Sequence, residues 1–137
     1  MTLDFFIPMK SIPTVTAQEK GINFKTGRVY TKPEVLEVKQ KFRAALAPKC
    51  PEEPISGAIF LRVYWLFPET ANHKSGEYKI TKPDTDNMIK LLKDVMTELG
   101  YWYDDAQVAV ETQSKIYSNV PGIDIHIENL QRSVCDE

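Results

Sequence analysis

The feature that most constrains the fold lies in residues 55–67, where Ile59, Leu61, Val63 and Trp65 alternate with Phe60, Arg62, Tyr64 and Leu66. A period of two sends alternate side chains to opposite faces of an extended chain, so this segment reads as a long strand with one apolar face. Its other face is mixed, and wetter near Arg62. On either side the period changes. Val35, Leu36, Val38, Phe42 and Leu46 recur at helical spacing after Thr31, a capping residue, and Pro33, which suits a first helical turn; Pro48 stops the run. A second helix is expected over about residues 86–99, where Met88, Leu91, Leu92, Val95, Met96 and Leu99 form one apolar stripe. Gly100 is its natural stop.

Residues 3–7 read as a first strand, with Pro8 and Pro13 bracketing the loop that follows. Residues 107–117 and 122–128 read as two closing strands around a turn at Asn119-Val120-Pro121-Gly122. The glycine-punctuated residues 21–30 form either a short hairpin or an open basic loop. Residues 68–82 are polar enough to predict a mobile loop. The expected class is α+β, a single domain over residues 1–137 with a mixed β-sheet and two main helices.

A chain of 137 residues can bury one core without staples. No apolar run is long enough to span a bilayer, and the opening residues lack the pattern of a secretory signal, so no membrane association and a cytoplasmic location are expected. Cys50 and Cys135 are isolated, which argues against a zinc site or a disulfide framework. The formal charge of −2 does not suggest a polyanion-binding protein. Local cation density matters more than the sum, however, and cations cluster at Lys20, Lys25, Arg28 and Lys32 and again at Lys74, Lys79, Lys82, Lys90 and Lys93. Acids gather at Glu52-Glu53 and at Asp136-Glu137.

The chemistry concentrates in Lys82-Pro83-Asp84-Thr85-Asp86-Asn87-Met88-Ile89-Lys90 and, one helix later, Gly100-Tyr101-Trp102-Tyr103-Asp104-Asp105-Ala106-Gln107. Pro83 favours an extended entry, and an extended Asp84-Thr85-Asp86 would put both carboxylates on one side. Crowded carboxylates call for a cation, and Mg²⁺ suits one or two of them while keeping positions for water and phosphate. Lys90, four residues after Asp86, can offset phosphate charge. The competing structural reading makes Asp84 and Asp86 helix caps and nothing more. His73 and His126 are not needed for this chemistry. Tyr101, Trp102 and Tyr103 are expected in packing before base stacking. An EF-hand is excluded by Met88 and Lys90 at positions that need oxygen ligands. A haloacid-dehalogenase-like phosphatase or a metal-dependent glycosyltransferase would need an apolar strand running into the first Asp, whereas Tyr78-Lys79-Ile80-Thr81-Lys82-Pro83 is polar and broken by proline.

The order Asp-x-Asp-Asn, Lys, Gly-aromatic-Trp and Asp-Asp-x-Gln over residues 82–108 resembles the RusA family of Holliday-junction resolvases of prophages and phages. The resemblance implies Asp84, Asp86 and Asp105 as metal-binding catalytic carboxylates and Lys90 as the essential lysine. It also implies Mg²⁺ as cofactor with Mn²⁺ as a substitute, and a homodimer that nicks four-way junction DNA symmetrically. Lys74, Lys79, Lys82, Lys93, Lys25 and Arg28 are the expected DNA contacts. The chain departs from the family pattern before its first Asp, where Lys82 stands alone in place of arginines. A non-catalytic nucleic-acid-binding accessory protein of the same fold is the alternative.

One geometric difficulty follows from the helix itself. At 1.5 Å per residue it holds its ends roughly 20 Å apart, so Asp105 starts far from Asp84 and Asp86. Either residues 100–104 fold back, or a partner supplies the third carboxylate, with the Met88, Leu92, Val95, Leu99 stripe as a candidate seam between antiparallel helices.

Overall fold

A computed structural model describes residues 1–14 and 20–130; Cys135, Asp136 and Glu137 lie outside them. The long alternating segment forms β4 (Ala58–Pro68) in a sheet that also holds β1 (Thr2–Pro8), β5 (Val108–Ser118) and β6 (Gly122–Leu130). The strand order is β1-β6-β4-β5. β6 runs antiparallel to both β1 and β4, while β5 runs parallel to β4. The sheet is therefore mixed and the class α+β, as expected. A parallel partner requires a crossover, and α2 (Thr85–Leu99) provides it. β2 (Lys20–Ile22) and β3 (Val29–Thr31) make a separate antiparallel ribbon, which resolves the ambiguous basic segment as a hairpin.

Alternation along β4 follows the expected pattern. Ile59, Leu61, Val63, Trp65 and Phe67 are buried, and the intervening residues are half-exposed. α1 (Pro33–Leu46) adds Val35, Val38, Phe42 and Leu46 to the same core; α2 adds Met88, Ile89, Leu91, Leu92, Val95 and Met96. The two helices are tied by Lys39 and Arg43, which both pair with Glu98. Leu36, expected on the apolar face of α1, is exposed because the buried positions repeat at 35, 38, 42 and 46. Lys32 occupies the N-cap position of α1, without a side-chain cap, and Thr31 instead ends β3. Pro48 does not end helical structure outright, since a 3₁₀ turn, Ala47–Lys49, follows the α-helix. Gly100 terminates α2 with φ 97°, a left-handed conformation that costs glycine little.

The loop over residues 68–82, expected to be mobile, is stitched to the outer edge of β5. Gly76 donates its N–H to the Tyr117 carbonyl, Tyr117 donates to Glu77, and Lys79 donates to Lys115, each at 2.9 Å. His73 stacks on Tyr117 with ring centroids 4.7 Å apart. Among the described residues no helix is long and apolar enough to cross a membrane.

Two of the aromatic trio are core residues, as expected: Tyr101 and Trp102 are buried, whereas Tyr103 is exposed. The Trp102 indole donates to Thr97 Oγ1 at 2.7 Å, and the Tyr101 hydroxyl donates to the Leu46 carbonyl at 2.5 Å. Burial raises the Tyr101 phenol above its ordinary value, and nearby Cys50 adds to the effect. Burial also raises the Cys50 thiol, which donates to the Leu99 carbonyl. Both groups hold their protons more tightly in the folded chain than in the unfolded one. Stability is thus intact below the ordinary values of 9.0 and 10.0 and falls as pH rises above them, because the unfolded chain ionises first. Urea melts between pH 7 and pH 11 should show this alkaline decline. Tyr101→Phe should lower stability at pH 7 by about 1 kcal/mol and flatten the upper part of the decline.

Candidate active site

Asp84 occupies the N-cap position of α2, with extended backbone at φ −74° and ψ 146°. A cap would turn its carboxylate back onto the helix N–H groups, but no such bond is made. Helical backbone begins at Thr85, one residue earlier than expected, so the two-residue alternation does not carry through to Asp86. Both carboxylates are nonetheless exposed at one helix terminus, where unsatisfied N–H groups favour negative charge. Neither forms a hydrogen bond or ion pair with any described residue. Lys90 stands exposed one turn beyond Asp86 on the same helix.

The chain reaches this terminus along a fixed path. The Lys82–Pro83 peptide bond is cis. The Lys115 ammonium, from β5, donates to the Thr81 carbonyl at 2.7 Å and to the Pro83 carbonyl at 2.9 Å, clasping the two residues that flank Lys82 just before Asp84. Sequence reasoning missed Lys115. No local pattern marks it, since its partners lie more than thirty positions upstream.

At the far end of α2 the two adjacent aspartates have different roles. Asp104 accepts from the Ala106 N–H at 2.9 Å and caps the 3₁₀ turn Asp105–Gln107. Gln107 completes the capping box by accepting from the N–H groups of Tyr103 and Asp104. Its amide then donates to the carbonyls of Ile55 and Gly57 at 2.9 and 3.0 Å, which fastens the turn to the start of β4. The signal for this was present as Asp104-x-x-Gln107, the spacing of a reciprocal cap. The Asp105 carbonyl accepts from the Val108 N–H, but its carboxylate is left exposed, with no hydrogen bond or ion pair to a described residue.

Asp84 lies at the level of Lys115, whereas Asp105 lies just before Val108. Seven strand residues at about 3.3 Å each separate those levels by about 23 Å. Residues 100–104 do not fold back within the chain. Among the described residues no three His, Cys, Asp or Glu side chains gather closely enough to hold a metal ion. The structure thus brings Asp84 and Asp86 to one helix end and leaves Asp105 at the other. The proposed helix seam is corrected as well. Met88, Leu92 and Val95 are consumed by the chain's own core and are not available to a partner helix.

Of the expected DNA contacts, some side chains make a contact with a described residue and some do not, and Lys74 is exposed although its ammonium makes one. Lys25, Arg28 and Lys82 are exposed. Lys93 is committed to Glu111 at 2.8 Å. Lys79 donates to Thr81 Oγ1 and lies over the rings of Phe67 and Tyr117. Lys74 donates its ammonium to the Thr70 carbonyl at 3.5 Å. His73 pairs with Glu77, and His126 sits between Asp4 and Glu128.

The division of labour between Asp104 and Asp105 is measurable by chemical denaturation. Asp104→Ala should cost about 1 kcal/mol through loss of the cap, and Asp105→Ala should stay within about 0.5 kcal/mol of the parent. Equal losses would remove the distinction.

The family model described as "Endodeoxyribonuclease RusA" matches residues 11–128. The chain is 28% identical over 129 residues to a protein of Lactococcus phage r1t named crossover junction endodeoxyribonuclease rusA, covering 93% of this chain and 98% of the relative. It is 34% identical over 91 residues to the uncharacterized protein YqaN of Bacillus subtilis strain 168, covering 58% of this chain and 63% of that one. With most of its length matched, both ends of α2 included, the chain belongs to the RusA endodeoxyribonuclease family.

Proposed function

We propose that the chain is a Mg²⁺-dependent endonuclease that resolves four-way DNA junctions by paired nicks, acting as a homodimer. The observation that carries this reading is that Asp84, Asp86 and Asp105 are exposed carboxylates without partners among the described residues, while adjacent Asp104 is spent on a cap. The name of the phage relative supports the junction as substrate. All-oxygen donors suit Mg²⁺, with Mn²⁺ as a substitute, and Asp84, Asp86 and Asp105 would hold it. When bound, the ion supplies Lewis acidity to the scissile phosphate and lowers the pKa of an attacking water.

The chain's own groups do the rest. The N–H groups at the start of α2 and the Lys90 ammonium favour a phosphate at this terminus and offset the charge that grows during attack. Lys115 holds the segment that aims Asp84. Water oxygen bonds to phosphorus, the bond to the 3′ oxygen breaks, and that oxygen takes a proton, leaving a 5′-phosphate and a 3′-hydroxyl.

A two-fold partner supplies the third carboxylate. β5 is an edge strand, and the bonds at Lys115 and Tyr117 show that its odd-numbered residues beyond the register shift at Val108–Val110 direct backbone groups outward. The 68–82 loop covers that edge from Lys115 onward, and no described residue bonds the outward groups of Glu111 and Gln113. Antiparallel pairing of two copies about Glu111 would satisfy them and set Ala109 opposite the other copy's residue 113. Continuing that register carries Asp105 to the level of the other copy's Tyr117, two residues past the Lys115 that clasps the segment leading into Asp84. Lys93 offsets the charge of Glu111 near the axis.

A cleavage assay on a synthetic four-way junction and a matched linear duplex, with and without Mg²⁺, tests the reading. Asp86→Asn should bind the junction and lose at least about 100-fold in cutting. Cutting of the duplex in preference to the junction, or no cutting with Mg²⁺, would overturn it. Lys115→Met should keep junction binding, lose about 10- to 100-fold in cutting, and need more Mg²⁺ for half-maximal rate. Mixing Asp84→Asn with Asp105→Asn should restore up to about a quarter of the sites, because half of the dimers are mixed and each carries one intact site. No recovery would place the whole site within one protomer.

A further inference from the structure

The β2–β3 ribbon pairs with no other strand among the described residues, yet its tip is built to one shape. Asn23 donates its N–H to the Arg28 carbonyl at 2.8 Å and accepts on its own carbonyl from Gly27 at 2.7 Å. Its side-chain oxygen accepts from the N–H groups of Lys25 and Thr26, and Thr26 Oγ1 accepts from Arg28. Gly27 takes φ 71°, which closes the turn. Below the tip the Tyr30 ring lies against Gly21, where a Cβ would approach it to 2.7 Å. This rigid loop presents Phe24 at its apex, 95% exposed. Ile22 and Val29, paired across the ladder beneath it, are also exposed.

Single exposed apolar residues are ordinary, but this group sits in an unusual charge setting. Residues 20–32 contain four cations and no acid, in a chain whose net charge is −2. Lys25 follows Phe24, Arg28 stands opposite Asn23 across the same turn, and both are exposed. An aromatic ring at the tip of a narrow ribbon, with two exposed cations in the same turn, matches a gap between base pairs bordered by phosphates. A bilayer surface would call for a broader apolar face.

We infer that Phe24 is a wedge that enters the base stack at the branch point of a four-way junction, held there by Lys25 and Arg28 on the adjoining phosphates. This rests on the junction-nuclease reading and adds to it a source of selectivity for branched over linear DNA. Stacked linear duplex resists insertion, whereas bases at a branch point are already partly unstacked. Binding energy from the ring is therefore realised mainly on the junction.

The experiment uses a junction with 2-aminopurine beside the branch point and a linear duplex, each titrated in EDTA, with anionic phospholipid vesicles as a third arm. Wild type should raise 2-aminopurine fluorescence on the junction. Phe24→Ala should bind the junction about 10- to 100-fold more weakly, lose the fluorescence rise, and bind the duplex within about twofold of wild type. Its thermal unfolding should match wild type, because the ring is solvent-facing. Phe24→Trp should retain junction binding. Lys25→Gln and Arg28→Gln should weaken junction and duplex alike and each reduce the salt slope by about 1. Equal junction binding by Phe24→Ala and wild type, equal losses on junction and duplex, or a loss confined to vesicles would each overturn the wedge while wild-type cutting stands. Wild type that neither binds nor cuts the junction would overturn the nuclease reading, and the wedge with it.

Discussion

Burial of one face of β4 beneath both helices is the constraint on which the rest of the molecule depends. Ile59, Leu61, Val63 and Trp65 are fully inaccessible, and they meet Phe42 and Leu46 of α1 and Leu92, Val95 and Met96 of α2 in one core. Because side chains alternate along a strand, that single burial decides which face of the sheet carries helices and in what register β5 and β6 must lie. It also decides the path of α2. A helix that must cover β4 and then deliver the chain to a parallel neighbour has to run back along the sheet, which puts its first residue beside Lys115 and its last beside the start of β5.

The site inherits this geometry. A helix start and a helix end are the two places where a core-packed helix can offer polar groups to solvent, and the aspartates occupy both. Asp84 has the position of a cap without acting as one, and Asp105 sits beside an aspartate that does. Leaving carboxylates unpartnered forgoes local stabilisation, a pattern expected where a residue is kept for a ligand and not for the fold. The surrounding framework is correspondingly well tied. Gln107 fastens one end through four hydrogen bonds and Lys115 fastens the other through two. Rigid supports of this kind hold reactive groups in place without touching the substrate.

The elements were legible from sequence because their signals are local. The period of β4, the stripe of α2, the stop at Gly100 and the closing strands all depend on neighbours within a turn or a pleat. What misled the reading was also physical. Leu36 fits a helical stripe but falls outside the arc that faces β4. The polar 68–82 loop looked free because its partners, Lys115 and Tyr117, lie on a strand that only the parallel crossover brings alongside. The apolar face of α2 looked available to a second copy because a sequence does not say which of several apolar faces will claim another.

By itself the sequence determined the fold class, the helix that separates the acidic pair from the third aspartate, and the residue types suited to a hard cation. Helical rise is a property of the backbone, so the separation of roughly 20 Å was implicit in the spacing. Tertiary structure alone decided that the gap between the aspartates stays open within one chain, that Lys115 reaches across to the entry of α2, and that no described residue bonds the outer edge of β5 over its first half. Those outcomes depend on which distant segments pack side by side, and contacts between distant segments leave no periodic mark along the chain.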